Sequence, residues 1–260
     1  MNEKEIISKT IEKREFSQLP KKDVLMAFRH FERRQTGDEE KIRLTRELLH
    51  KVFGAFGSKK LFGEKGKPKS AEWILRKHIS TRERLSFYGQ VYSRILKNFD
   101  KKVSVIDLGC GVNGFSYDFF KKKKFNVEYV GIEATGQFVK LMNDYFKKQK
   151  IKGKVIHMSL FEIKKIKKLI KDTKKPRIAF LFKTIDSLEI LNRNYSKKLI
   201  EELSLLVDRI VVSFATESFI KRKRFNVNRE WILNFIRERF KIKDDFELGG
   251  ERYLVFENKK

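Results

Sequence analysis

Residues 103–114, near the middle of the chain, read VSVIDLGCGVNG. A largely β-branched apolar run ends in Asp107, and a tight loop containing Gly109, Gly111 and Gly114 follows directly. Buried parallel strands of α/β domains end in this way where a glycine-rich loop leads into a helix and lies against a bound nucleotide. The stretch, whose residues 109–114 are called the glycine loop below, therefore predicts a nucleoside-containing cofactor near the middle of the chain.

Apolar runs alternate with amphipathic segments after residue 103, which is the βαβ order of a parallel sheet. We expect strands at 103–108, 127–132, 154–158, 177–182 and 208–214. A helix at 231–240 precedes two further strands, 241–247 and 252–257, which the Gly249-Gly250 pair joins as an antiparallel hairpin. The predicted fold is therefore α/β and Rossmann-like, with a mostly parallel, seven-stranded sheet closed by a C-terminal antiparallel hairpin.

The first hundred residues show helical periodicity without the alternation of strands. Pro20, the turn at residues 36–38 and the glycine- and lysine-rich residues 54–68 interrupt it. We expect a small helical domain over residues 1–100 and a cofactor-binding domain over residues 101–260.

The chain is strongly basic, because 61 Lys and Arg residues against 34 Asp and Glu residues give a formal net charge of +27 at pH 7. A charge of this size attracts polyanions, so nucleic acid is the expected partner. The alternative is the lysine-rich proteome of an organism from a hot environment. Glutamate rises together with lysine in such proteomes, whereas the acids of this chain do not keep pace.

Composition also excludes several classes of protein. No apolar run approaches the roughly 20 residues that span a bilayer, and the N-terminus lacks the apolar region of a signal peptide. We therefore expect a cytoplasmic protein with no membrane partner. One cysteine makes no internal disulfide, and the four histidines form no metal-ligand cluster with it, so no metal is expected.

Polar residues follow three of the predicted strands at the edge where ligands of α/β sheets bind. Glu133 follows the second strand and suits the two ribose hydroxyls of a nucleoside, although a solvated strand-end acid is the alternative. The third strand leads to Ser159 and Leu160, which offer the base little polar recognition, with Glu162 just beyond. Lys183 follows the fourth strand, where it is either an ordinary surface lysine or a group that holds a base or phosphate.

The glycine spacing alone fits both nicotinamide-dependent oxidoreductases and methyltransferases, and further segments favour the second class. Residues 78–85 (HISTRERL), the glycine loop, residues 182–189 and residues 212–218 (VSFATES) follow one another as they do in the aminoglycoside-resistance 16S rRNA methyltransferases. The chain resembles this family over nearly its whole length, and residues 45–56 are similar to part of its rRNA-binding helical domain. An oxidoreductase explains neither these segments nor the charge.

The resemblance implies a class I methyltransferase fold with S-adenosyl-L-methionine as the cofactor. It implies methyl transfer to guanine N7 in the decoding site of small-subunit (16S) rRNA, either free or within the assembled 30S subunit. We expect the protein to act as a monomer. Carried over residue by residue, the resemblance makes Lys183 the catalytic residue and implies a cofactor site of His78, Arg84, Asp107, Gly109, Gly111, Asn113, Glu133, Ser159, Leu160 and Phe182.

Within that set, Arg84 is expected to bind the methionine carboxylate, with His78 as its support or as a second contact. The RNA-binding residues are expected to be Arg82, Lys221, Arg222, Lys223 and Arg224. The chain departs from the family at Leu160, where the family has an acid, and at Ala215 and Glu217, which replace proline and arginine. Two alternatives therefore remain: a methyltransferase for another RNA position, and a non-catalytic RNA-binding protein whose cofactor pocket has decayed.

Overall fold

The computed structural model describes residues 2–54, 70–217 and 227–259. Three helices come first and pack on one another around Ile6, Phe28 and Ile42. The first is capped by Asn2, whose side chain accepts the Glu5 amide hydrogen at 3.0 Å. The helices before the sheet are α1 Glu3–Ile11, α2 Lys21–Arg29 and α3 Asp38–Leu49 with a π-helical turn at His50–Gly54, then α4 Ala71–Lys77, α5 Ile79–Arg84 and α6 Tyr88–Ile95.

Strands and helices then alternate up to a terminal pair of strands, as the sequence predicts. The elements are β1 Lys102–Leu108, α7 Tyr117–Lys122, β2 Asn126–Glu133, α8 Gly136–Lys148, β3 Gly153–His157, α9 Ile163–Lys171, β4 Arg177–Phe182, α10 Ile185–Leu191, α11 Tyr195–Ser204, β5 Arg209–Ala215, α12 Glu230–Arg239, β6 Phe240–Leu248 and β7 Glu251–Asn258. Every predicted strand is present, including both strands of the terminal hairpin, and each begins and ends within one residue of its predicted bounds.

The strands of the described chain form one seven-stranded sheet in the order β3-β2-β1-β4-β5-β7-β6. β1 pairs in parallel with both β2 and β4, whereas β7 runs antiparallel to β5 and β6. The strand order therefore reverses direction at β1, which is the point where open α/β sheets form their ligand crevice. The expected fold class, Rossmann-like with a C-terminal antiparallel hairpin, is confirmed.

Both faces of the sheet are covered, which explains the continuous apolar runs of β1, β4 and β5. Ile106 and Leu108 of β1 face one hydrophobic core, and Val103 and Val105 face the other. Residues from before the sheet enter both. The first core contains Val24 and Leu49, and the second contains Leu75 and Tyr92.

The division into domains at residue 100 stays a prediction. The helices α4 to α6 share a core with the sheet, so this part of the N-terminal region is packed as an integral layer of the sheet.

Within the described ranges, no helix combines the length and apolar composition needed to cross a bilayer.

Because Leu49 is fully buried in the core that α3 shares with the strands, its truncation tests this shared packing. We expect Leu49→Ala to lower the free energy of unfolding by about 2–5 kcal/mol. Urea denaturation followed by circular dichroism should show one transition at a lower midpoint.

Leu205→Ala is the matched control, since Leu205 is 75% exposed and its truncation should change stability by less than about 0.5 kcal/mol. A separate early transition of the N-terminal helices in Leu49→Ala, with the main transition unmoved, would contradict the shared core.

Candidate functional site

The glycine loop turns sharply at two residues with left-handed backbone. Gly109 has φ +70° and Gly111 has φ +52°, a region that side chains rarely adopt. A Cβ atom on Gly109 would lie 3.0 Å from the Thr184 side chain, and one on Gly111 would lie 3.1 Å from the His78 ring. Both positions therefore need glycine, for conformation and for space, and the loop leaves its backbone open to the crevice.

Glu133, the last residue of β2, holds this loop in place. Its Oε2 accepts the backbone hydrogen of Gly111 at 2.8 Å, and its Oε1 accepts that of Thr135 at 2.8 Å. Burial raises the pKa of the carboxyl, and these backbone donors oppose the rise. The side chain is only 7% exposed, yet it lines the cavity at the sheet edge. Each oxygen retains a lone pair with which it can accept a hydroxyl hydrogen from a ligand.

A buried polar network lies behind the loop. Asn113 donates from Nδ2 to Asp107 Oδ2 at 2.7 Å and accepts at Oδ1 from Arg84, 3.2 Å, and from Tyr88, 2.7 Å. Tyr129 also donates to Asp107. Burial raises the pKa of Asp107 to about 6, although both donors stabilise its charged form. The network fixes the loop from the side opposite the cavity.

Arg84 is almost completely buried, and each of its guanidinium nitrogens has a protein acceptor. Nη2 donates to Glu251 Oε1 at 2.6 Å, Nη1 donates to Asn113, and Nε donates to the Tyr253 hydroxyl at 3.0 Å. The guanidinium also stacks on the Phe182 ring, 4.5 Å from its centroid. Arg84 does not line the cavity. The expected contact between Arg84 and a methionine carboxylate stays a prediction. It requires that the three hydrogen bonds of the guanidinium to the protein rearrange or that their donors are shared with the ligand.

Lys183 follows β4 and has a left-handed backbone, φ +56°, which is unusual for a residue with a side chain. Its backbone hydrogen is held by Ser213 of β5. Its ammonium group pairs with Glu83 and lies 3.5 Å from Glu251 Oε2. The side chain is 8% exposed and lines the cavity. The surface-lysine alternative is therefore wrong, because this lysine is buried between two carboxylates at the sheet edge.

The cavity encloses about 720 Å³, including its open mouth. Seven of the predicted cofactor or catalytic residues line it: His78, Gly109, Gly111, Glu133, Leu160, Phe182 and Lys183. Asp107, Asn113 and Arg84 stand behind the lining, in the network already described. Val52 and Phe53 also contribute to the wall, so the N-terminal region closes one side of the cavity.

The loop after β3 carries Ser159 and Leu160. Leu160 lines the cavity, whereas Ser159 is fully buried and donates from its hydroxyl to Asp23 Oδ1 at 2.8 Å. Asp23 belongs to α2, and its side chain also lines the cavity. Burial raises the pKa of Asp23 to about 7, with the Ser159 hydrogen bond opposing the rise.

His78 lies against the glycine loop and packs edge-on against Phe138, with ring centroids 5.5 Å apart. Burial, together with the nearby charges of Arg84 and Lys183, lowers the pKa of His78 to about 3. The imidazole is therefore neutral at physiological pH. Neutral imidazole at this position suits packing and hydrogen bonding to a ligand, and it does not add to the positive charge of the site.

Of the predicted RNA-binding residues, Arg82 lies on α5 and is partly buried. The other four predicted residues, Lys221, Arg222, Lys223 and Arg224, lie outside the described residues.

Among the residues that are described, no cluster of three or more His, Cys, Asp or Glu side chains could hold a metal ion.

Several residues of the site are absent from the sequence predictions, among them the buried acids Asp23 and Glu251. Asp23 stands in the first turn of a helix and Glu251 follows a glycine pair in a hairpin, and solvated acids are common at both kinds of position. Their roles depend on partners far away in the chain, such as Ser159 for Asp23 and Arg84 for Glu251. No local pattern could have identified them.

A mostly parallel sheet with a terminal antiparallel hairpin, and a cavity between the glycine loop and Glu133, defines a Rossmann-like class I methyltransferase fold. The chain matches the model of the ribosomal RNA methyltransferase (FmrO) family over residues 28–229, and it belongs to that family. The match covers most of the chain and confirms the resemblance seen in the sequence.

Solved structures agree with this fold over the whole chain. The 16S rRNA methylase RmtF, solved with S-adenosyl-L-homocysteine, matches with a TM-score of 0.77 at 20% identity and 100% coverage of both chains. The 16S rRNA methylase RmtB matches with a TM-score of 0.75 at 16% identity, over 100% of this chain and 99% of the other. An rRNA methylase from Escherichia coli gives 0.76 at 17% identity, over 99% of this chain and 100% of the other.

A curated relative is similar over a shorter segment. The 16S rRNA (guanine(1405)-N(7))-methyltransferase of Proteus mirabilis is 35% identical over 60 residues, which is 23% of this chain. The aligned segment spans about a fifth, 21%, of that relative's length.

The Arg84–Glu251 pair should be strongly coupled, because both side chains are only 1% exposed. We expect Glu251→Ala to lower the free energy of unfolding by about 3–5 kcal/mol, since it leaves a buried guanidinium without its anion. The double variant Arg84→Met/Glu251→Leu should recover a large part of that loss. Urea denaturation of the variants measures both effects.

Glu72→Ala provides the control, since Glu72 forms an exposed pair with Arg76 that should contribute no more than about 1 kcal/mol. Equal losses in Glu251→Ala and Glu72→Ala would contradict a buried ion pair.

The raised pKa of Asp23 also predicts a pH dependence of stability. Between pH 4 and 7 the folded state keeps a proton that the unfolded state, with the ordinary pKa of 3.8, has released. The folded state binds more protons, so this residue's contribution to stability falls as pH rises through that window. We expect Asp23→Asn to gain stability relative to the unchanged protein as pH rises from 5 to 8.

Urea denaturation at both pH values measures this difference, with Asp118→Asn as the control because Asp118 is exposed. A difference between Asp23→Asn and the unchanged protein that is the same at pH 5 and pH 8 would contradict the raised pKa.

Proposed function

We propose that the protein transfers a methyl group from S-adenosyl-L-methionine to N7 of a guanine in the decoding site of small-subunit (16S) rRNA. The observation that carries this proposal is the cavity at the switch point of the sheet, which brings the glycine loop, Glu133 and Lys183 together. Membership of an rRNA methyltransferase family supports it. The substrate is rRNA, free or within the 30S subunit, and we propose that the protein acts on it as a cytoplasmic monomer.

The residues of the cavity fit a nucleoside cofactor. Glu133 offers two carboxylate oxygens already oriented by backbone donors, as a pair of ribose hydroxyls requires. Leu160 and Phe161 provide an apolar wall on one side of it, suited to a purine ring. Because Gly109 and Gly111 have no side chains, a ligand can approach their backbone closely in the part of the cavity that His78 and Lys183 also line. In this site, S-adenosyl-L-methionine would supply an electrophilic methyl group on a sulfonium.

Methylation of guanine N7 asks little of the protein in proton transfer. N7 carries an in-plane lone pair and no hydrogen, so the residues of the site must align the base and stabilise the charge that it gains. Lys183 can donate a charge-assisted hydrogen bond to an acceptor on the guanine, and O6 lies next to N7 on the same edge. The carboxylates of Glu83 and Glu251 beside Lys183 favour the cationic product.

The target base must leave its helix to reach this cavity. The deep, narrow major groove of A-form RNA keeps N7 away from side chains, so we propose that the guanine is flipped out. The positive charge of the chain favours binding to the surrounding phosphates. Arg82 and residues 221–224 remain the proposed RNA contacts, and residues 1–100 the proposed RNA-binding region.

We predict that expression in a bacterial host lacking the modification produces 7-methylguanosine in the decoding site, located by mass mapping of 16S rRNA. Lys183→Ala should reduce the modification rate by about 100-fold or more, because the variant loses the group that aligns the base. Lys148→Ala is the matched control: Lys148 is exposed at the end of α8, and its loss should leave the modified fraction unchanged.

An unmodified decoding site in a strain that makes folded protein would contradict the proposed reaction. Methylation at another rRNA position would favour the alternative target. Full modification by Lys183→Ala would remove Lys183 from the chemistry.

A further inference from the structure

Asp23 presents a buried oxygen that the described protein leaves unused. The residue is 1% exposed, and its Oδ1 accepts the Ser159 hydroxyl hydrogen. Its Oδ2 is buried as well, and among the described residues it has no hydrogen-bond partner. Because a buried acceptor without a donor is destabilising, such an atom in a cavity wall indicates a ligand that donates to it.

The order of the strands indicates which part of a ligand would meet this oxygen. β2 lies between β1 and β3, and Glu133 at its end pairs in register with His157 of β3. The loop after β3, which holds Asp23 through Ser159, therefore lies beyond Glu133, away from β4 and Lys183. If Glu133 holds the ribose and the methyl group lies toward Lys183, the base lies toward Asp23.

We propose that Asp23 of the N-terminal region accepts a hydrogen bond from the exocyclic amino group of the cofactor's adenine. The assignment rests on the proposed function, since it takes S-adenosyl-L-methionine as the ligand. Leu160 leaves the loop after β3 without an acidic side chain toward the base, and Asp23 supplies the carboxylate from a different element of the fold. With Asp23 in this role, Leu160 no longer favours the alternative of a decayed cofactor pocket.

Contacts across the interface hold Asp23 in position. Its neighbour Lys22 donates from Nζ to the Phe161 carbonyl at 2.8 Å, which fixes α2 to the same loop. Gln137 donates to the Arg14 carbonyl at 3.0 Å. Gly136 has no side chain where Gln18 packs, and a Cβ atom there would lie 2.6 Å from Gln18 Oε1. The position of the N-terminal helices and the occupancy of the base site are therefore linked.

The charges around Asp23 make this hydrogen bond depend on pH. Burial is the largest of the causes that raise the pKa of Asp23 to about 7, and the charges of Glu133 and Glu162 act in the same direction. The Ser159 hydrogen bond and the charge of Lys22 oppose the rise. Tyr195 of α11 faces the same side, and burial raises its pKa so that it stays neutral. An amino group donates best to the ionised carboxylate. Affinity for the cofactor should therefore increase as pH rises from 6 to 8.

Isothermal titration calorimetry with the full chain tests the assignment directly. The probes are S-adenosyl-L-homocysteine and its analogue with hydrogen in place of the 6-amino group of the purine. At pH 8 the unchanged protein should bind the amino compound about 10-fold or more tightly than the analogue, as expected for a hydrogen bond to a charged group. Only the amino compound should bind more tightly as pH rises from 6 to 8.

Three variants complete the test. Asp23→Leu should bind both probes equally, with the affinity that the unchanged protein has for the analogue. Asp23→Asn should keep part of the preference, since its amide oxygen can accept the same hydrogen, and it covers the possibility that Asp23→Leu fails to fold. Glu162→Gln is the matched control, because Glu162 is an acid of the same loop that pairs with Lys165 and does not line the cavity. It should keep the full preference.

An undiminished preference in Asp23→Leu, or a preference lost in Glu162→Gln, would overturn the assignment while leaving the proposed function intact. An unchanged protein that binds neither probe would instead overturn the proposed cofactor, and the assignment of Asp23 with it.

Discussion

The guanidinium of Arg84 is buried between the glycine loop, β4 and the terminal hairpin, and its charge must be matched there. Glu251 of the hairpin supplies the matching anion, Asn113 of the loop and Tyr253 of β7 take the remaining donors, and Phe182 of β4 covers the guanidinium. A buried charge of this kind tolerates few alternatives, because each missing acceptor leaves a desolvated donor. The Arg84–Glu251 pair therefore forms only when the glycine loop has turned and the terminal hairpin has paired with β5.

The second oxygen of Glu251 extends the same constraint to the cavity, where it lies 3.5 Å from Lys183. Around this cavity, carboxylates are concentrated in a chain with a net charge of +27. Glu133, Glu251, Glu83 and Asp23 all lie at or beside it. Under the proposed function, this separation of charge is useful: the basic exterior attracts RNA phosphates, and the acidic interior suits a sulfonium cofactor and a cationic methylated base.

The sequence was sufficient for the fold because the deciding signals are local. The strands are continuous apolar runs, since both sheet faces are covered, and the hairpin is marked by its glycine pair. The same holds for the glycine loop, for Glu133, which ends β2, and for Lys183, which directly follows β4. Asp23 and Glu251 could not be predicted, because each looks like an ordinary solvated acid and acquires its role from contacts 136 and 167 residues away. The role expected of Arg84 as a ligand contact stays a prediction, and its protein partners could be read only from the structure.

Under the proposed function, one cavity, completed by the N-terminal helices, binds the methyl donor along the edge of the sheet. A crystal structure of the protein with S-adenosyl-L-homocysteine tests this most directly. We expect the ribose hydroxyls on Glu133, the amino group of the base at Asp23 Oδ2, and the homocysteine sulfur directed toward Lys183. A ligand bound outside this cavity, or one whose base turns away from Asp23 while the carboxylate stays unpartnered, would contradict it.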